Sequence, residues 1–216
     1  MMEKTEIHCV YNLIILDESG SMESIKKPTI QGFNEIVQTI KGIEKQFSEQ
    51  KHFINLVTFN GLGINEKLFL QPISTLEFID ENIYRPDAST PLYDAIGFAA
   101  LKLKNEIANQ TSFNVLVTIL TDGEENASKE FSADAIRKII EELKKQNWTF
   151  TYIGTQHDVQ TAASTISITN VMQFTADEDG MKDMFAKEQK ARVRHSFKIQ
   201  KKEVAEDDYY TDENVS

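Results

Sequence analysis

Val10-Tyr11-Asn12-Leu13-Ile14-Ile15-Leu16 runs directly into Asp17-Glu18-Ser19-Gly20-Ser21-Met22. The first half is apolar with almost no polar alternation. That pattern marks a strand covered on both faces, as in a parallel sheet. Two similar runs follow, Phe53 to Phe59 and Val115 to Leu120, and shorter ones cover Trp148 to Ile153 and Val171 to Phe174. Lys67 to Leu70 suits a short antiparallel edge strand, joined to the second strand by the turn Asn60-Gly61-Leu62-Gly63.

Helical patterns separate these runs. Ile30, Phe33, Ile36, Val37, Ile40, Ile43 and Phe47 recur at three- and four-residue spacing, which puts one apolar stripe on a helix. Leu92, Ala95, Ile96, Ala99 and Leu103 repeat it after Thr90-Pro91, with the proline at the first helical position. Ile136, Ile139, Ile140 and Leu143 mark another helix, capped by Ser132. Asp177-Glu178-Asp179 opens a last amphipathic segment whose Met181, Met184 and Phe185 read as core. Strands alternating with helices predict an α/β fold, a doubly wound, mostly parallel sheet flanked by helices with one antiparallel edge strand. One domain is expected over residues 1–195. Residues 196–216 read as a charged tail, nearly devoid of core residues from about Lys201, and expected to be disordered.

Composition narrows the function. The chain has 216 residues, 40% of them hydrophobic, enough for one sizeable core, and a formal net charge of −11. An acidic surface repels phosphate backbones and anionic lipid, so neither nucleic acid nor a membrane surface is the expected partner. The single cysteine, Cys9, excludes an internal disulfide and reads as a small core thiol. Met1 to Glu6 lacks an apolar signal core and no stretch has the length of a membrane span, so the cytoplasm is the expected location. Asn109, Asn126 and Asn147 open glycosylation-type triplets that carry no weight without secretion.

The residues that carry chemistry follow the strands. In extended chain alternate residues point the same way, so Asp17, Ser19 and Ser21 aim oxygens at one point, with Gly20 easing the turn between the serines. Asp122 also follows a long apolar strand, and Thr90 precedes a helix in a different connection. Parallel sheets gather their sites at the carboxyl ends of the strands. Carboxylate and hydroxyl oxygens suit a hard cation, Mg²⁺ first and Mn²⁺ or Ca²⁺ as alternatives. Singly, each piece is a turn or a cap; their ordered occurrence in one α/β pattern is the signal.

Asp17-x-Ser19-x-Ser21, Ser89-Thr90-Pro91-Leu92-Tyr93-Asp94-Ala95 and Thr121-Asp122-Gly123-Glu124-Glu125-Asn126 resemble, over about residues 8 to 175, the segments of the von Willebrand factor A (vWA) metal-ion-dependent adhesion site. The resemblance implies a Rossmann-like fold and a site of Asp17, Ser19, Ser21, Thr90 and Asp122. Ser19 and Ser21 would bind the ion directly. Asp17 and Asp122 would bind directly or through water, and Thr90 directly in one of two states. One position would stay open for an Asp or Glu carboxylate from a protein partner. The wording also resembles bacterial stand-alone cytoplasmic vWA proteins, including those associated with tellurite resistance, which implies a stress-response or signalling complex. Ser89 departs from the pattern, since many members carry glycine there; no ligand is lost.

A metal-dependent binding module rather than an enzyme is the leading expectation. The alternative is a Mg²⁺-dependent hydrolase or phosphotransferase using the same ion as a Lewis acid. It lacks an evident general base, and an aspartyl-phosphate mechanism needs a second acid where this chain has Ser19. Gly61-x-Gly63 lacks the third glycine of a dinucleotide fingerprint and reads as a hairpin turn. His8, His52, His157 and His195 read as strand-edge or surface residues, and Glu18, Glu124 and Glu125 as solvated charges rimming the site.

Overall fold

The computed structural model describes residues 7–155, 159–204 and 208–211. Its strands are β1 (His8–Asp17), β2 (Gln50–Asn60), β3 (Gly63–Pro72), β4 (Phe113–Leu120), β5 (Trp148–Gly154) and β6 (Asn170–Gln173). Its helices are α1 (Lys26–Gln46), α2 (Leu92–Glu106), α3 (Ala133–Lys144), α4 (Val159–Thr165) and α5 (Glu178–Lys201). The sheet order is β3-β2-β1-β4-β5-β6, parallel throughout except for the β2–β3 hairpin.

β1 lies in the middle, and its residues from Val10 to Asp17 are all buried. Tyr11, Leu13 and Ile15 pack on one face with α2, α3 and α4; Ile14 and Leu16 pack on the other with α1 and α5. This two-sided burial is why β1 shows no alternation, and it makes the fold doubly wound as expected. The chain leaves β1 for β2 through α1 on one face and reaches β4 through α2 on the other. The crevice between β1 and β4 is therefore the topological switch point, where open α/β sheets place their sites.

Several details differ from the sequence reading. Pro91 is the cap of α2, which begins at Leu92. α4 was not anticipated; Val159 and Ala163 supply its short buried face. β3 extends well beyond Lys67–Leu70, and its register against β2 shifts near Leu56, where the Asn55 side chain accepts the Leu70 N–H at 2.8 Å. Ser132 caps α3, its hydroxyl accepting from Ala135 N. Cys9 is half-buried against the core. Among the described residues no helix is long and apolar enough to cross a membrane.

The largest departures concern α5 and the histidines. The helix runs past residue 195 to Lys201, and Tyr209 packs with Leu116 and Ala191. Glu188 (0% exposed) and Arg192 (1%) face the sheet and pair at 2.9 Å. Arg192 also donates to Asn12 Oδ1 at 2.9 Å and Thr118 Oγ1 at 2.6 Å. The hydroxyls of Tyr209 and Tyr210 donate to the two oxygens of Glu188, at 3.0 and 2.8 Å, and Lys198 pairs with Asp208. For residues 196–204 and 208–211 the expected disordered tail is thus corrected. Counting charges hid two tyrosines that satisfy a buried carboxylate. Residues 205–207 and 212–216, which share that expectation, lie outside the described residues. His52 and His195 are buried, not at the surface, and His8 is half-buried between Ser112 and Asn114. His157 lies outside the described residues.

Two outcomes follow. A chain ending at Gln200 loses the Tyr209 and Tyr210 contacts and should be destabilised by about 3 kcal/mol or more, the scale of deleting a buried aromatic ring. At this length that lowers the Tm by roughly 6–12 °C in a thermal melt; an unchanged Tm would mean the segment is not docked. Separately, burial, reinforced by the Arg192 charge, pushes His52 down to about 3 and His195 down to about 4. Below about pH 6.5 the unfolded chain takes up protons that the folded chain refuses, so these groups make stability fall as pH drops from about 6.5 toward 4. Stability measured in urea at pH 7 and pH 4.5 should show a smaller difference in a His52→Gln/His195→Gln variant than in the wild type.

Candidate metal centre

Asp17 ends β1 with no solvent exposure. A buried carboxylate needs partners for its oxygens. Its Oδ1 accepts the Ser19 N–H at 2.7 Å and its Oδ2 accepts the Thr121 hydroxyl at 2.6 Å. Burial pushes its pKa up to about 6, the Thr121 and Ser19 bonds oppose that, and the Asp122 charge adds to the rise. Its main-chain carbonyl accepts the Tyr84 hydroxyl at 2.6 Å.

The chain stays extended only as far as Ser19, and a 3₁₀ turn over Gly20–Ile25 then carries Ser21 round. The three side chains therefore do not converge by simple strand alternation. Nor does Gly20 supply a left-handed turn; its N–H donates to Ala88 O at 3.0 Å. The outcome is a line of oxygens. Ser19 Oγ is 3.2 Å from Ser21 Oγ, which donates to Asp122 Oδ1 at 2.6 Å. Thr90 is buried and tied to the third segment in both directions: its N–H donates to Asn126 Oδ1 at 3.0 Å, and Asn126 N donates to Thr90 O at 3.2 Å. A side chain at Gly123 would meet Thr90 Oγ1 at 3.5 Å, so that hydroxyl lies beside the Asp122-Gly123 backbone. The Asp122 carbonyl in turn accepts from Thr155 at 2.7 Å. All five predicted residues thus stand at the β1–β4 crevice.

The neighbouring acids are not a solvated rim. Glu18 is buried; its carboxylate accepts Arg85 N at 2.5 Å and lies 3.6 Å from Lys67 Nζ. Glu125 accepts the N–H groups of Tyr93, Ala127 and Ser128 at 2.7–2.8 Å and the Ser128 hydroxyl at 2.6 Å. Asp94 accepts from Lys129, Glu130 and Phe131 at 2.8–2.9 Å. These carboxylates hold loops by charge-assisted bonds. Of the three glutamates expected at the rim, only Glu124 is exposed. Sequence reasoning missed Tyr84, Thr121 and Asn126. Thr121 and Asn126 flank Asp122 in the quoted motif, whereas nothing local to Tyr84 links it to Asp17. Gly61 at the hairpin tip abuts Ser89, whose Oγ would be 2.2 Å from an added side-chain carbon.

The donor set consists of carboxylate and hydroxyl oxygens from three connections, with two aspartates to balance a divalent charge. That fits a hard cation. Among the described residues no group of three or more His, Cys, Asp or Glu side chains gathers to hold a metal, so hydroxyls must complete any such site.

The von Willebrand factor type A domain profile matches residues 13–188. Proximal thread matrix protein 1 from the mussel byssus superposes with a TM-score of 0.58 at 16% identity, covering 87% of this chain and 47% of that one. This chain therefore spans about half the length of the mussel protein. The SpRpn10 VWA domain gives a TM-score of 0.55 at 12% identity, with 82% and 94% covered. The vWF domain of the type V pili tip protein Mfa5 from Porphyromonas gingivalis gives 0.58 at 11%, with 83% and 95% covered. Such identities establish a shared fold alone. Among curated proteins none matches the sequence significantly.

The Glu125 clamp makes a direct prediction. Glu125→Ala strips the Tyr93, Ala127 and Ser128 amides of their acceptor and should cost about 1–3 kcal/mol, the scale of leaving such donors unsatisfied. Urea unfolding measures the cost. Faster hydrogen exchange at those three amides locates it, and unchanged exchange there would show that Glu125 is not their partner.

Proposed function

The chain belongs to the von Willebrand factor type A domain family, and on that footing we propose that it is a protein-interaction module whose contact with its partner runs through a divalent cation, Mg²⁺ by preference. Asp17, Ser19, Ser21, Thr90 and Asp122 would hold the ion. Bound there, it would offer an open coordination position to an Asp or Glu oxygen of the partner. The observation that carries this reading is the bonded line from Ser19 through Ser21 to Asp122, with Asp17 locked behind it.

The residues divide the work. Thr121 and Ser19 N–H hold Asp17 in one orientation, so its charge is fixed before anything binds. Ser19 and Ser21 present neutral oxygens that keep the site from carrying excess charge. Thr90 is steadied through its backbone by Asn126, which leaves its hydroxyl as the adjustable donor. A partner that stabilises direct coordination by Thr90 would bias that state only by its differential affinity for it. Each Asp17 oxygen accepts one hydrogen bond and keeps a lone pair for the ion or for water on it. The wording of the three segments supports a bacterial stress-response or signalling complex as the setting.

Metal titration by calorimetry tests the site. The wild type should bind one Mg²⁺. Asp122→Ala should weaken binding at least tenfold while circular dichroism is unchanged, because Asp122 is half-exposed at the rim. Asp17→Asn should also weaken it, and it keeps an oxygen for Ser19 N–H where alanine would leave buried donors unpaired. Undiminished affinity in both variants, or stoichiometric zinc on the purified protein, would overturn the assignment.

A further inference from the structure

The outer face of α1 borders two adjoining grooves, one of which reaches Glu23 and Ser24 in the 3₁₀ turn that follows Ser21. Leu76 and Ile79 anchor the segment opposite in the core, whereas Phe78 between them is 55% exposed. The segment is held firmly. The Asn34 side chain donates to Ile79 O and accepts from Ile79 N, both at 3.0 Å, and Lys41 donates to Leu76 O at 2.8 Å. Phe78 is thus displayed outward by a pinned backbone. Between it and α1 lies a groove of about 550 Å³, with Ile30, Phe78 and Ile79 as its apolar lining. A second groove, of about 520 Å³, shares Lys27, Gln31, Glu35 and Glu81 with the first and reaches Glu23 and Ser24, just past Ser21. Its floor depends on Gly32, where any side chain would strike the Phe185 ring within 2.0 Å.

Charge identifies the occupant. Glu23, Glu35, Asp80, Glu81 and Glu178 line the two grooves against Lys26, Lys27 and Lys182. Lys182 is taken up by Glu178 at 2.9 Å. Glu35 is hydrogen-bonded by two neutral amides, from Gln31 and Gln189, which leave its charge uncompensated. The lining is net acidic on a chain that is itself at −11, so a basic segment is drawn in and an acidic one repelled. An exposed aromatic on a fixed support in the same groove calls for one bulky apolar side chain.

We propose that the double groove along α1 seats a basic segment of the partner protein, which carries a bulky apolar residue onto Phe78 and Ile30 and an acidic residue to the metal site. This deepens the reading of the metal site and rests on it. From Ser21 to Ile30 the chain advances at most about 10 Å over the 3₁₀ turn, at about 2.0 Å per residue, and about 6 Å along α1, at about 1.5 Å per residue, a span that roughly five extended residues cover. The acidic residue and the apolar one therefore belong to one short continuous stretch.

Random dodecamer peptides displayed on phage, selected against the full chain in Mg²⁺, provide the probe. Synthetic versions of the enriched peptides are then titrated by fluorescence anisotropy. The enriched set should be net positive, with at least one Asp or Glu and one bulky apolar residue. Affinity should fall at least tenfold in Phe78→Ser and in Glu35→Lys/Glu81→Lys, all surface positions, with circular dichroism unchanged. Chelator and Asp122→Ala should each weaken binding as much. Loss with chelator but not in the groove variants would overturn this proposal and leave the metal reading standing. Loss in the groove variants but not with chelator would keep the groove and overturn the metal-mediated contact. Acidic peptides, or no enrichment, would overturn the proposal.

Discussion

Burying the Asp17 carboxylate constrains everything around it. A charged group without solvent is tolerated only when its oxygens find donors. Here the donors are the Ser19 N–H and the Thr121 hydroxyl, while Tyr84 takes the main-chain carbonyl of the same residue. These partners come from the β1–α1 connection, the end of β4 and the loop before α2. Satisfying one residue therefore fixes the relative positions of three loops. Ser21, Thr90 and Asp122 inherit their positions from that arrangement.

The acids of this chain serve two different ends. Glu18, Asp94 and Glu125 accept backbone N–H groups, so loops without regular structure still have satisfied amides. They contribute order, with oxygens turned inward to the chain's own amides and not presented to a partner. Glu124, Glu35 and Glu81 are exposed, so they carry the electrostatic character a partner meets. A formal net charge counts both kinds alike.

A similar device operates under α5. Glu188 and Arg192 are paired out of solvent and reach β1, β4 and the Tyr209-Tyr210 segment. Such a pair adds little net stability compared with apolar residues of the same size, because desolvation offsets the attraction. Removing one partner is costly, however, and the bonds of Arg192 to Asn12 and Thr118 and of Glu188 to the two tyrosines fix the rotation of α5 on the sheet. The helix packs along α1, whose outer face borders the groove, so this network also supports the surface there.

Local patterning determined the fold of this protein. Uninterrupted apolar runs gave the parallel strands, three-and-four spacing gave the long helices, and the Asn60–Gly63 turn gave the antiparallel edge, because each depends on neighbours within one element. The order of the Asp17, Thr90 and Asp122 segments on those elements made the five candidate residues legible too. Only the tertiary structure decided which polar groups are free. Glu18 and Glu124 look alike in sequence, yet one is buried against Arg85 N and the other exposed. His52 and His195 look like surface residues until Asn12, Gln50 and Tyr209 enclose them. Tyr209 and Tyr210 look like part of a charged tail until Glu188, about twenty positions back in the chain, needs their hydroxyls. The partners of a buried polar group come from distant parts of the chain, and no pattern of local spacing records them.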